Sequence, residues 1–255
     1  HYWGPMENVV AFNRLVRDAL RRGHPDLKVG GPAPYCIDVN YIEKFLDAGG
    51  GCMDFIDTHA YHSDEDLLAR LRDLKAMLAR KGFAEKEIVI SEMGVPVPGE
   101  TPETQAAKLV RSYAAALSEG VRAVIWHGSW ADIDKSGDRP VNNDDPGFNI
   151  MRADGTANPA FAAYGVMTRM LLGATAVGEA TGLPESCRGF EFRQPGGGRL
   201  LVLWRKAPGA ETVKLPEGGW TTLTDIMGVS RPIKRAAGGA ASVEASEYPV
   251  YIEAR

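Results

Sequence analysis

"DEDLLARLRDLKAMLARKGFAEKEIVISE", residues 64–92, is the stretch on which the fold turns. Residues 64–82 read as a helix that stops at Gly82, and residues 87–92 as a strand built on the apolar run Ile88-Val89-Ile90. The strand closes on a carboxylate, Glu92, and the chain then meets Gly94, Pro96 and Pro98. A helix, a short turn and an apolar strand form one unit of a parallel α/β sheet.

The same alternation extends in both directions. Upstream, "NVVAFNRLVRDALRRG" (8–23) sets Val9, Phe12, Leu15, Val16, Ala19 and Leu20 on one helical face and ends in Arg-Arg-Gly. "LKVGG" (27–31) is a short strand with a glycine exit, "VNYIEKFLDAGG" (39–50) a second helix, and "MDFIDTHAY" (53–61) a second strand. Downstream, "TPETQAAKLVRSYAAALSEG" (101–120) opens with Thr101 as cap, Pro102 in the first turn and Glu103 as early acid, and leads into the strand "RAVIW" (122–126). "PAFAAYGVMTRMLLG" (159–173) is the last helix of the series, its Met/Leu run core-forming. Val29, Phe55, Val89 and Val124 recur at spacings of 26, 34 and 35 residues, the rhythm of βαβ units, and are expected as interior side chains on the face that a sheet of only four strands leaves open. After Gly173 the pattern changes. "GFEFRQPGGGRLLVLWRK" (189–206) is two strands around a Pro-Gly-Gly-Gly turn, and short alternating segments follow to the C-terminus, as in a small antiparallel β-sandwich. The boundary is placed near residue 175.

With 255 residues, 44% of them hydrophobic and 24% charged, the chain can bury a substantial core. Its net charge of -4 and lack of a basic run point away from nucleic acid and membrane surfaces. No apolar run reaches the roughly 18 residues of a spanning helix. Cys36, Cys52 and Cys187 are scattered and odd in number, so free thiols are expected rather than a disulfide framework or a zinc site. The chain begins at His1, not Met, and an upstream segment is expected.

In parallel α/β sheets the chemistry sits beyond the carboxyl ends of the strands. There the sequence gathers Glu92, His59-Ala60-Tyr61-His62, Trp126-His127-Gly128-Ser129-Trp130 and Pro34-Tyr35. Aromatic plates for C–H faces, with oriented donors and acceptors for hydroxyls, suit a sugar ring. An isolated strand-end Glu could equally cap a helix or pair with Arg.

"DFIDTHAYH", "EIVISEMGVP", "RAVIWHGSW" and "DPGFNIMRADGTANPAFAAYGVM" resemble strands six to eight and the last helix of clan A retaining glycoside hydrolases, near families 39 and 5. The resemblance implies a (β/α)8 TIM barrel of which residues 1–174 are only the second half, followed by a β-sandwich over 175–255. It implies Glu92 as the nucleophile, held by Tyr61, with His59, Tyr61 and Trp126 as substrate-binding residues and Tyr35, Trp130 and Phe148 as further walls. The implied partners are a β-linked carbohydrate and the N-terminal half-barrel of the same protein; no cofactor or metal is implied.

The acid/base Glu of the clan's Asn-Glu-Pro motif has no counterpart here. Glu7-Asn8 carries it in reverse order, and Glu7 reads as an early helix acid. "HYWGP" (1–5) resembles the loop just after that motif, so the acid/base is expected upstream, among about 125 residues that would complete a barrel of about 250. Two rivals stand beside this reading. One is a metal hydrolase built from His59, His62, Glu92, His127 and Asp132, against which the three-residue spacing of His59 and His62 turns them to opposite sides of a strand. The other is a barrel that binds glycans without cleaving them. "DIDKSGD" (132–138) mimics the start of a calcium loop, but Pro140 interrupts it and Asn143 stands where a bidentate Glu belongs.

Overall fold

A computed structural model describes residues 4–94, 101–128, 148–152, 154–235 and 241–254. Two compact units are distinguished, His1–Gly94 with Val121–His127, and Val95–Gly120 with Gly128–Arg255.

The first unit is a parallel sheet with its helices. Strands β1 (Gly30–Pro32), β2 (Phe55–Ala60), β3 (Glu87–Met93) and β4 (Ala123–Trp126) lie in sequential order. Helices α1 (Met6–Gly23), α2 (Val39–Asp47) and α3 (Asp64–Arg80) belong to the same unit. Each of the latter two starts on a side-chain cap: Asp38 accepts from the Tyr41 amide at 2.9 Å, and Ser63 from the Asp66 amide at 3.3 Å. The strands are parallel and sequential, an order for which right-handed crossovers would put α2 and α3 on one side of the sheet. α2 and α3 bury Ile42, Phe45, Leu46, Leu67, Leu71, Leu74 and Leu78, and one sheet face buries Ile56, Thr58, Ala60, Ile88, Ile90 and Met93. The opposite face carries Phe55, Asp57, His59, Val89 and Glu92, all half-buried, and Ile125, which is 56% exposed.

Two sequence expectations are corrected here. Val29 precedes β1 and packs into the cluster of Val10, Phe45 and Met53, and Val124 is in register with Ile90 on the covered face; of the four spaced residues only Phe55 and Val89 lie on the open face. The apolar stripe assigned to α1 docks only in part: Val9 packs against the Val10, Phe45 and Met53 cluster and Val16 is half-buried, while Ala19 and Leu20 are exposed. Val10 is buried, but its neighbours on the inner side are Asn13, Arg17 and Arg21, whereas Phe12 and Leu15 are 65% and 64% exposed. Arg17 donates to the Cys52 carbonyl at 2.7 Å, and Arg21 pairs with Asp54 at 2.6 Å. Asp54 in turn accepts from the Val29 amide at 2.8 Å, and these bonds hold its carboxyl below the usual range in spite of burial, which pushes it up. Long-range polar bonds, invisible to periodicity, thus join the packing of Val9 and Val10 in fixing the face that α1 presents.

The second unit holds α4 (Pro102–Ser118), α5 (Pro159–Leu171) and antiparallel strands. Thr101 accepts from the Thr104 amide at 3.3 Å with Pro102 in the first turn, as the sequence predicts. β5 (Thr175–Glu179), β6 (Cys187–Arg193), β7 (Arg199–Arg205), β9 (Trp220–Asp225), β10 (Ser230–Pro232) and β12 (Val250–Ala254) form a six-stranded sheet in the order β10-β9-β12-β7-β6-β5. β8 (Ala210–Lys214) and β11 (Ser242–Ser246) form a two-stranded sheet. Leu201, Leu203, Val213, Trp220, Val243 and Ile252 share one core between the two sheets. α4 packs on α5 and on β5 and β6, with Tyr113 edge-on to Tyr164 at 5.6 Å. The three cysteines are free thiols, and no described helix is long and apolar enough to cross a membrane.

Candidate functional site

The site is built where β2, β3 and β4 end. Parallel pairing fixes which side chains share a face, and β3 departs from the regular pattern. Its register against β2 runs Thr58↔Ile90 and then His59↔Glu92, so β3 has one residue more than its neighbour over this span. The extra residue forms a β-bulge and places Glu92 beside His59 on the open face. Tyr61, two residues beyond His59, follows on the same side.

Three groups converge on one oxygen. The Tyr61 hydroxyl donates to Glu92 Oε1, His59 Nδ1 lies 3.8 Å from that atom, and His127 Nδ1 lies 3.6 Å from it. The Glu92 side chain is 32% exposed, open enough to meet a ligand. Burial, then the hydrogen bond to Glu92, raises the Tyr61 phenol above its ordinary value, so it remains a donor at physiological pH. Tyr35 stacks on Tyr61 with centroids 5.0 Å apart and planes 20° apart, and Tyr61 meets His127 edge-on at 6.1 Å. The phenol is thus held between a stacked ring and an imidazole.

Other expected residues fall elsewhere. Trp126 is in register with Met93, on the covered side of the sheet, and is 9% exposed. Phe148 lies in the second unit, near Gly128, and Trp130, Asp132 and the 132–138 loop lie outside the described residues. Glu7 is exposed in the first turn of α1. His62, a member of the rival metal set, turns to Asp66 at 3.0 Å rather than to Glu92, and burial, followed by the charge of Arg70, holds its imidazole below the ordinary value. Among the described residues no group of three His, Cys, Asp or Glu is arranged to hold a metal ion. His127 is the neighbour of Glu92 that sequence reasoning gathered on the strand-end rim but gave a role only in the metal set. Its position directly after the β4 end, in a sheet whose strand ends converge, was the available signal.

No protein-family model and no curated protein sequence matches the chain. Solved structures do match its fold. Over 97% of its length the chain aligns with 55% of a family 39 glycoside hydrolase from the gut symbiont Bacteroides cellulosilyticus WH2, at TM-score 0.73 and 19% identity. It aligns over 99% with 63% of the GH51 arabinofuranosidase from Xanthomonas axonopodis pv. citri, at TM-score 0.64 and 12% identity. Over 97% it aligns with 61% of a GH39 β-xylosidase from Caulobacter crescentus, at TM-score 0.60 and 16% identity. The chain therefore spans 55% to 63% of the length of these three structures. At such identities the likeness establishes the fold: over nearly its whole length, this chain is folded like part of a clan A glycoside hydrolase.

Proposed function

We propose that the chain is the C-terminal part of a retaining glycoside hydrolase, acting on a β-linked oligo- or polysaccharide with Glu92 as nucleophile. The observation that carries this reading is a half-exposed carboxylate at a strand end with one oxygen held by a phenol and flanked by two imidazoles. All three contacts fall on Oε1, which leaves Oε2 as the oxygen to attack the anomeric carbon. A second carboxyl, about 5 to 5.5 Å away in retaining enzymes, protonates the departing glycosidic oxygen. That same group then takes a proton from water, which displaces Glu92 and restores the anomeric configuration. In this reading the second carboxyl comes from the upstream segment. His59 meets a sugar hydroxyl, and Tyr35, 59% exposed, supplies more stacking area than Trp126 at 9%.

Residues 1–174 are, in the same proposal, the second half of an eight-stranded barrel, and residues 175–255 a β-sandwich. The support is physical. Parallel sheets are normally covered on both faces, yet here Ile125 is 56% exposed on one of them, and β1 and β4 are the outer strands of an open four-stranded order. The first half-barrel is the partner that closes both edges.

The test uses the full-length protein. A fluorinated, slow-turnover β-glycoside is expected to leave a covalent adduct on Glu92, and Glu92→Gln to abolish turnover while changing stability by no more than about 1 kcal/mol. Hydrolysis by Glu92→Gln would refute the assignment. Tight reversible binding without an adduct would identify a glycan-binding barrel instead.

A further inference from the structure

We propose that Asp57 is a positioning residue, whose carboxylate holds the bulge at Ser91 that turns Glu92 onto the site face. In a regular strand alternate side chains share a face, so Ile88, Ile90 and residue 92 would lie together on the covered side. The register shows otherwise. Against β2 it passes from Asp57↔Val89 and Thr58↔Ile90 to His59↔Glu92 and Ala60↔Met93, leaving Ser91 as the unmatched residue. Against β4 it passes from Ile90↔Val124 to Met93↔Trp126, a slip over the same span. Burial follows the slip: Ile88, Ile90 and then Met93 are buried, while Glu92 is half-exposed. A single inserted residue decides which face the carboxylate serves.

A bulge disturbs the ladder locally, and the amide it displaces needs another acceptor. The Ser91 amide donates to Asp57 Oδ1 at 3.3 Å. Asp57 lies on the site face of β2, in register with Val89, and so reaches along the neighbouring strand to the bulged amide. Successive residues on this face of β2 and its extension then divide the work. Asp57 engages the backbone of the bulge, and His59 and Tyr61 approach the carboxylate that the bulge delivers. Without the acceptor at 57, the pairing that restores alternation carries Glu92 away from Tyr61.

The consequence for turnover rests on the proposed role of Glu92, but the bulge is measurable without activity. In the full-length protein, Asp57→Ala and Asp57→Asn are compared with wild type by hydrogen exchange of the Ser91 amide and by the rate of covalent labelling with the fluorinated glycoside. Asn keeps an acceptor oxygen and removes the charge. The expected result is that Asp57→Ala exposes the Ser91 amide and slows labelling roughly 100-fold, the scale of a misplaced reacting group, with substrate affinity little changed. Asp57→Asn is expected to restore protection and most of the labelling rate. An amide as protected in Asp57→Ala as in wild type overturns the proposal, whatever the activity. If Asp57→Ala does not fold, Asp57→Val, a strand-compatible side chain with no acceptor, replaces it: a Ser91 amide as protected as in wild type overturns the proposal and an exposed one supports it. Failure of the wild type to label at Glu92 would count against the glycosidase reading, and the amide measurement would still decide the role of Asp57.

Discussion

Glu92 is a surface-accessible carboxylate whose conformation is set by what surrounds Oε1. The Tyr61 hydroxyl donates to that oxygen, and Tyr61 is in turn stacked on Tyr35. A hydrogen bond to a charged group contributes about 1.5 to 3 kcal/mol, and about 1.4 kcal/mol is a factor of ten in rate. With Glu92 in its proposed role as nucleophile, Tyr61→Phe is expected to slow the first chemical step roughly 10- to 100-fold while leaving substrate affinity nearly unchanged, because the bond would orient Glu92 rather than the sugar. Pre-steady-state kinetics of glycosylation separates the two effects. A change confined to affinity would make Tyr61 a binding residue only. Gly30 illustrates the same dependence on neighbours. The "VGG" segment reads as a glycine exit, yet a Cβ at Gly30 would come within 2.0 Å of the Phe55 ring, so this glycine serves close approach between paired strands.

At the scale of elements, most boundaries follow the sequence, and the departures have identifiable causes. β3 extends to Met93 because the bulge lets the ladder continue past the carboxylate, with the His127 amide donating to the Met93 carbonyl at 2.8 Å. The start of α3 carries a titratable device. His62 precedes the Ser63 cap, pairs with Asp66 at 3.0 Å, and has a buried Nε2 with no hydrogen-bond partner among the described residues. Burial and the charge of Arg70 hold its imidazole below 6.5, outweighing the attraction of Asp66. Between the lowered value and the ordinary one the unfolded chain binds a proton that the fold refuses, so this contribution is complete above the ordinary value and is lost as pH falls through the lowered one. The melting temperature of the full-length protein is expected to fall as pH drops below the ordinary imidazole value, with His62→Gln showing a shallower slope there. An identical slope in the variant would assign the acid sensitivity to other groups.

For the whole molecule, the half-barrel proposal makes a prediction about the isolated chain. Phe12 and Leu15 are exposed on α1, Ile125 is exposed on the sheet, and β1 and β4 are the outer strands of the four-stranded sheet. Residues 1–255 expressed alone are expected to aggregate or to lack activity, and to be rescued by the upstream segment. A soluble, cooperatively melting and active monomer would refute the half-barrel. What the sequence determined by itself was local. Apolar periodicity, glycine stops and the Thr101-Pro102 start specify helices and strands because each depends on residues a few positions apart. The clustering of Glu92, His59, Tyr61 and Tyr35 at strand ends was legible for a related reason, since the α/β alternation brings successive strand ends to one rim. Only the tertiary structure decided which face each residue serves. The letters "EIVISE" are compatible with a regular strand that sends Glu92 to the covered side and with a bulged one that sends it to Tyr61. The choice belongs to pairing with β2 and β4 and to a carboxylate 34 residues upstream, which accepts from the Ser91 amide. The rotation of α1 was hidden for the same reason, because Arg17 and Arg21 bond to groups that are distant in sequence. Periodicity records preferences along the chain, whereas face and register are settled by partners across it.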